Sequence, residues 1–297
     1  MRAAERGGTS ELRASERAIR LFDDLAPYWA GEAEVFRTYW TWGKRTRETD
    51  RRWLALQCWK EIWGSGVART RDGLFLGVVR ELAEIFPRID VDLERREILA
   101  IVEGLRAEFA HYCAFADAHD ALALASEPRL SPRDLVGWEE DGLLAELRFA
   151  HKRHNARLGA RASRMTEGGF CTLYASGMAL SCAKSGPHAR ANELIAAACR
   201  SVHADELAHM GAGFRGIDDQ GFSAEEWREL GDMAIGQARC RIDMRNGQFG
   251  YPLAGVLLVA ARDGRLPPLL SNSADEFSLT EGCAPTYDEA TSYRGKL

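Results

Sequence analysis

Glu108-Phe-Ala-His111 and Glu206-Leu-Ala-His209 are two copies of one short pattern, Glu-x-x-His. Residues three apart on a helix lie on one face, one turn apart, so each carboxylate and its imidazole can ligate the same ion. Two such pairs on two helices, completed by one carboxylate from each of two further helices, make a dinuclear carboxylate site. One copy arises readily by chance in a helical chain with 44 acidic residues and 7 His; two copies, each within a long helix, do not. At 100° per residue, Ile195, Cys199, Val202 and Met210 cluster around the direction of Glu206. Ile101, Leu105, Tyr112 and Phe115 lie near the Glu108 face in the same way. A carboxylate in the middle of an apolar stripe is costly unless it has a partner, and ligation supplies one.

The two further carboxylates can be sought by symmetry across the turns that precede each pair. The turn at Ser185-Gly186-Pro187 mirrors Glu206 onto Glu167, among the apolar and aromatic neighbours Phe170, Tyr174 and Met178. The turn near Ile89 mirrors Glu108 onto Asp72, at the edge of the stripe formed by Phe75, Leu76, Val79, Leu82 and Phe86. Asp72 also suits the first turn of a helix, where the dipole favours an acid. Glu81 is the next candidate. His151 and His154 share a helix face with Lys152, Arg153 and Arg157, which reads as a solvated basic surface.

The elements that must carry these residues are helical. The pattern predicts helices over 10–25, 34–42, 50–63, 72–86, 93–124, 138–158, 161–183, 189–214 and 223–246. Ser10 is a candidate N-cap, a kink is expected at Gly168-Gly169, and no convincing strand alternation is present. The expected architecture is one all-α domain. Residues 1–66 form Trp-rich covering helices and residues 67–250 a dinuclear helical-bundle core of four long helices. Residues 251–297 make a partly irregular C-terminal segment. Six of the eight Trp fall between residues 29 and 63, which reads as packing of the covering helices.

The 297 residues are 46% hydrophobic and 28% charged, which excludes wholesale disorder. Net charge is −5, which weighs against nucleic acid as a partner. Only five of the 39 basic residues are lysine. The absence of an 18-residue apolar run leaves no expected membrane span. Seven scattered Cys, with no apolar leader at the start, predict free thiols and a cytoplasmic setting.

Glu108/His111, Glu167 and Glu206/His209, in that order on long helices, resemble the ferritin-like diiron-carboxylate oxygenases, in layout the p-aminobenzoate N-oxygenase type. The haem-oxygenase-like diiron oxidases give a nearly identical reading. The resemblance covers roughly residues 70–215. It implies two iron ions, O2 as co-substrate, an external electron donor and oxidation of a small molecule in a biosynthetic pathway. In that reading Glu108 and Glu206 bridge, Asp72 and Glu167 are terminal ligands, and His111 and His209 bind one iron each. It also implies an extra His ligand near His203. That residue stands three before Glu206 rather than the usual four, so a one-residue helical bulge would be needed to turn it inward; the alternative is a His hydrogen-bonded behind a carboxylate ligand. In the second family the last acid is often Asp, which makes Asp205 an alternative. The protein is expected as a monomer or homodimer. The competing readings are an iron-storage ferroxidase, which a cage-sized assembly would reveal, and a metal-free helical interaction module.

Overall fold

Local chemistry sets where several helices start and stop. The computed structural model describes residues 16–64, 73–182, 185–273 and 276–279. Among the described residues the regular structure is helical apart from one short strand pair. Helix α1 spans Glu16–Trp40 and α2 Arg47–Trp63. Thr46 and Thr49 close a capping box at the start of α2, and Gly64, at positive φ, ends it. Helix α3 (Gly73–Ile85) stops just before Pro87. Helix α4 is Arg95–Ala121, α5 Glu139–His154, α6 Ala156–Met165 and α7 Gly168–Ala179. The Asn155 side chain accepts from Leu158 N–H and caps α6. Helix α8 is Ala189–Phe214 and α9 Ala224–Gln248, the latter started by a Ser223/Glu226 capping box. Helix α10 (Gly255–Arg262) precedes β1 (Leu270–Ser273) and its antiparallel partner β2 (Glu276–Leu279), a pair the sequence pattern does not predict.

The first helix departs most from expectation. Two separate helices over 10–25 and 34–42 are expected; instead α1 runs unbroken through Pro27. Proline removes one backbone hydrogen bond. Here burial outweighs that loss, because Phe22, Leu25, Trp29, Val35, Phe36 and Tyr39 are all inside the core. Helix α1 packs on α7, α9 and α10. It is therefore the centre of the molecule, not a cover over it. Trp29 lies edge-on to Phe22 at 5.0 Å, and Trp53 tilts against Phe249 at 5.0 Å. These tryptophans are packing residues. The Ser10 cap, Asp72 and the chain beyond 279 lie outside the described residues.

The expected kink near Gly168-Gly169 is a complete break, with α6 ending at Met165 and α7 starting at Gly168. The glycines serve another purpose. A Cβ on Gly169 would sit 1.7 Å from Glu32 Oε1, and one on Gly168 would sit 2.4 Å from the Trp29 ring. They let α1 lie directly on α7. Glu32 is thereby buried against two buried arginines: Arg241 Nε donates to its Oε1 at 2.6 Å and Arg245 Nε to its Oε2 at 2.8 Å. Burial would raise the Glu32 pKa, but the two guanidinium charges hold it below the usual carboxylate value.

The close approach predicts a contrast between two glycine substitutions. Gly169→Ala forces the Glu32 carboxylate off its arginines and should cost about 3 kcal/mol. Gly104→Ala, in mid-α4 with open space around it, should stabilise by about 0.5–1 kcal/mol through helix propensity alone. Urea unfolding of both variants checks the pair of signs.

Candidate metal centre

Six side chains from four elements converge in two groups, Glu61/Glu108/His111 and Glu167/Glu206/His209. Within each group one ligand atom per residue lies within 4.8 Å of the others. Helix α2 supplies Glu61, α4 supplies Glu108 and His111, and α8 supplies Glu206 and His209. Glu167 stands in the turn that starts α7. These elements pack α2 on α4, α4 on α8 and α8 on α7. The ring closes through Gln57 Nε2, which donates to Tyr174 Oη across α2 and α7 at 2.8 Å.

The two groups adjoin at His111. Its Nδ1 lies 3.8 Å from Glu61 Oε2, 3.7 Å from Glu108 Oε2 and 3.9 Å from Glu206 Oε1. None of these is a hydrogen bond, and this buried nitrogen has no hydrogen-bond partner. A metal–ligand bond of about 2.1 Å puts neighbouring ligand atoms of one ion about 3–3.5 Å apart and opposed ones about 4.2 Å apart. Three carboxylate oxygens stand at 3.7–3.9 Å from one orphaned imidazole nitrogen, between those two spacings and a few tenths of an ångström wide of neighbouring positions on one ion. The other nitrogen, Nε2, is 3.1 Å from Asp205 Oδ2. An ionised carboxylate only accepts, so Nε2 carries a proton and, in the neutral ring, the Nδ1 lone pair faces the acids. Asp205 is thus placed behind His111, outside both groups, and not in the ligand position weighed for it from sequence.

Glu61 is the member that sequence reasoning overlooks. The mirror argument took α3 as the partner of α4, pointing to Asp72 with Glu81 behind it. Helix α2 packs far more extensively on α4 than α3 does. Asp72 lies outside the described residues; Glu81 is half-buried on α3 and belongs to neither group. A signal for Glu61 was present. Leu54, Gln57, Cys58 and Glu61 form one i, i+3, i+4, i+7 stripe, all of it buried. A carboxylate and an amide on an otherwise apolar stripe mark a buried polar site.

His203 joins neither group. Helix α8 is a regular α-helix throughout, with none of the bulge that would turn His203 inward. Its Nε2 is shielded without a hydrogen bond, and burial lowers its pKa. His151 Nδ1 meets Gln237 and His154 Nε2 meets Glu229, both away from the centre.

Glu61 is held from behind by Gln57, whose Nε2 donates to its Oε1 at 2.5 Å. Gln57 Oε1 in turn accepts from Arg245 Nη1 and Gln248 Nε2, each at 3.0 Å. Around the acids the interior is apolar: Phe115, Cys171, Tyr174, Val202 and Met210 are all buried. Burial pushes the Glu206 pKa well up, and the charges of Glu167, Glu108 and Glu61 push it further. Glu167 and Glu108 are raised for the same first reason. His111 goes to about 11: burial opposes its charge, but Glu108, Glu61 and Glu206 outweigh it. Without a metal, then, protons supply the positive charge that this cluster needs.

No family model matches the chain, and neither a curated protein nor a solved structure matches it, so the reading of the centre rests on its own residues.

A pH dependence follows. The raised carboxyl groups bind protons in the folded chain that the unfolded chain releases from about pH 4.5 upward. The stabilising proton on His111 is complete below the unfolded value of 6.5 and is lost as pH rises toward about 11. Both effects make the metal-free fold less stable as pH rises from about 5 to 8. A divalent ion must displace those protons, so its affinity rises over the same range. Titration calorimetry with Mn(II) at pH 6 and 7.5, in buffers of different ionisation enthalpy, should show tighter binding at pH 7.5. At least one proton should be released per ion. Affinity independent of pH with no proton release would contradict the assignment.

Proposed function

We propose that the protein is a non-haem diiron oxidase or oxygenase, using O2 and an external electron donor to oxidise a small molecule. The observation that carries this reading is the meeting of two Glu/Glu/His groups at the orphaned Nδ1 of His111. Glu61, Glu108 and His111 would hold one ion; Glu167, Glu206 and His209 would hold the other. Glu206 belongs to one group and lies 3.9 Å from the histidine of the other, so it is the carboxylate that would be within reach of both ions. Carboxylate and imidazole ligands accept Fe(II), Mn or Zn alike. Iron is favoured by the resemblance of the two Glu-x-x-His pairs and Glu167 to the diiron-carboxylate oxygenases. An iron pair in such a site supplies the electrons that reduce O2.

The chain's own residues have definable tasks. Asp205 fixes the ring plane and tautomer of His111 through its Nε2–H. Gln57 and Tyr174 both donate to Glu61 Oε1, at 2.5 and 3.4 Å, which leaves Oε2 for the His111 side. The Arg245–Glu32 pair anchors Gln57 and so restrains Glu61 at one remove. Glu61 and Glu206 are buried, which strengthens their hold on a cation, while Glu108 and Glu167 are half-buried.

Anaerobic reconstitution with Fe(II), iron counting and oxygen uptake test the proposal. The wild-type chain should retain close to two irons and consume O2 when reduced. Glu61→Ala and Glu206→Ala should each lose at least one iron, and Asp205→Ala should weaken retention about 10–100-fold. Retention of wild-type iron by both the Glu61 and Glu206 variants would overturn the centre.

A further inference from the structure

A second cluster of like charge lies beside the acids, and it is basic. Arg157, Arg161 and Arg164 recur at i, i+4 and i+7 on α6, which puts them on one helix face. Together with Arg215, Ala212 and Gln220 they line an open cleft of about 450 Å³ between α6 and the end of α8. Like charges at this spacing repel, and a folded chain keeps them together only if something opposes the repulsion.

Two of the four guanidinium groups are absorbed by structure. Arg157 reaches Glu226 Oε1 at 2.5 Å and the Gln220 carbonyl at 3.0 Å. Arg161 Nη1 donates to the carbonyls of Ala212, Gly213 and Arg215 and so finishes the C-terminus of α8. The other two differ. Arg215 makes one long bond, Nη2 to the Ala208 carbonyl at 3.3 Å, and pairs with no carboxylate among the described residues. Arg164 is exposed, with no ion pair or side-chain hydrogen bond among the described residues. The charge of Arg164 also helps lower the Arg161 pKa, behind desolvation.

The cleft shares its walls with the metal centre. The Glu167 N–H bonds to the Arg164 carbonyl, so the turn presenting Glu167 is built on the residue that contributes the open guanidinium. Ala212 stands one turn beyond His209 on α8. A molecule seated on Arg164 and Arg215 would therefore lie against the Glu167/His209 side of the centre.

We propose that this cleft binds an anionic group, a carboxylate or a phosphate, carried by the small molecule that is oxidised at the neighbouring site. The substrate role rests on the diiron reading above; the anion binding does not. Arg164 and Arg215 supply the charged donors, with planar forks suited to two acceptor oxygens. Arg157 and Arg161 add fixed positive charge behind them. The small side chain of Ala212 leaves the floor open.

The test uses inorganic phosphate and acetate as probes on the full chain, metal-free and iron-loaded, read by calorimetry and by the shift in unfolding temperature. Phosphate should bind both forms and raise the unfolding temperature, and acetate should bind more weakly at the same place. Arg164→Gln and Arg215→Gln should each weaken phosphate binding about tenfold. Both should keep wild-type iron content and, because each removes one of the mutually repelling charges, an unfolding temperature at or slightly above wild type in anion-free buffer. Absence of phosphate binding, or binding that both variants leave unchanged, overturns the anion site. The two readings fail separately. A chain that holds two irons but no phosphate refutes the cleft alone. A chain that binds phosphate through Arg164 but holds no iron refutes the metal centre alone.

Discussion

Charge buried in a helical interior must be neutralised, and the core of this protein is arranged around that requirement. It meets the requirement in two ways. Glu32 is given Arg241 and Arg245, both buried, with bonds of 2.6–2.9 Å. Glu61, Glu108, Glu167 and Glu206 have two histidines among them, with the charges of Arg148 and Arg164 acting on Glu167 and that of Arg241 on Glu167 and Glu206. An excess of acid is stable inside a protein when protons or cations make up the difference, and raised pKa values are the mark of the protonated case. The first cluster sets two guanidinium groups on one carboxylate, and Arg241 Nη1 and Arg245 Nη2 stay buried without a hydrogen-bond partner among the described residues; the second has room for cations.

The two clusters are mechanically joined. Arg245 bonds to Glu32 on one side and to Gln57 on the other, and Gln57 bonds to Glu61. The salt-bridged interior thus sets the orientation of Glu61, a candidate ligand that would otherwise be a flexible carboxylate near the end of α2. The positions of the six candidate ligands follow a simple rule. The Glu/His pairs sit within α4 and α8, because only an intact helix fixes the i, i+3 spacing. The two single carboxylates, Glu61 and Glu167, sit at a helix end or a turn, where one direction is all that is required.

That division also explains what could be read in advance. The two Glu/His pairs were visible because helix spacing is written in the sequence. Glu167 was reachable because α7 and α8 are consecutive and pack together, so a mirror about Ser185-Gly186-Pro187 finds it. Glu61 was not reachable by that route, since α3 and its connections separate α2 from α4 in the chain. Sequence adjacency was a poor guide to spatial adjacency there. The continuity of α1 through Pro27 escaped for a different reason. A local helix-breaking signal lost to the burial of a whole aromatic face, and no window around residue 27 contains the partners that bury it. The strand pair at 270–279 is short and lacks the alternation that announces a strand.

Helix α1 is early in chain order and central in space, and the two facts have a kinetic consequence. Its contacts are distant: Thr172 Oγ1 donates to the Trp29 carbonyl across 143 residues, and Arg241 reaches Glu32 across 209. Contacts so far apart are reached only after a large loop has closed, which slows folding. Until α7, α8 and α9 have been synthesised and docked, α1 lacks the Phe214 ring that packs on Phe22 and Trp29 and the arginines that neutralise Glu32. The nascent chain therefore carries an uncovered aromatic helix through most of its synthesis, the kind of surface that chaperones bind and that aggregates when they are scarce.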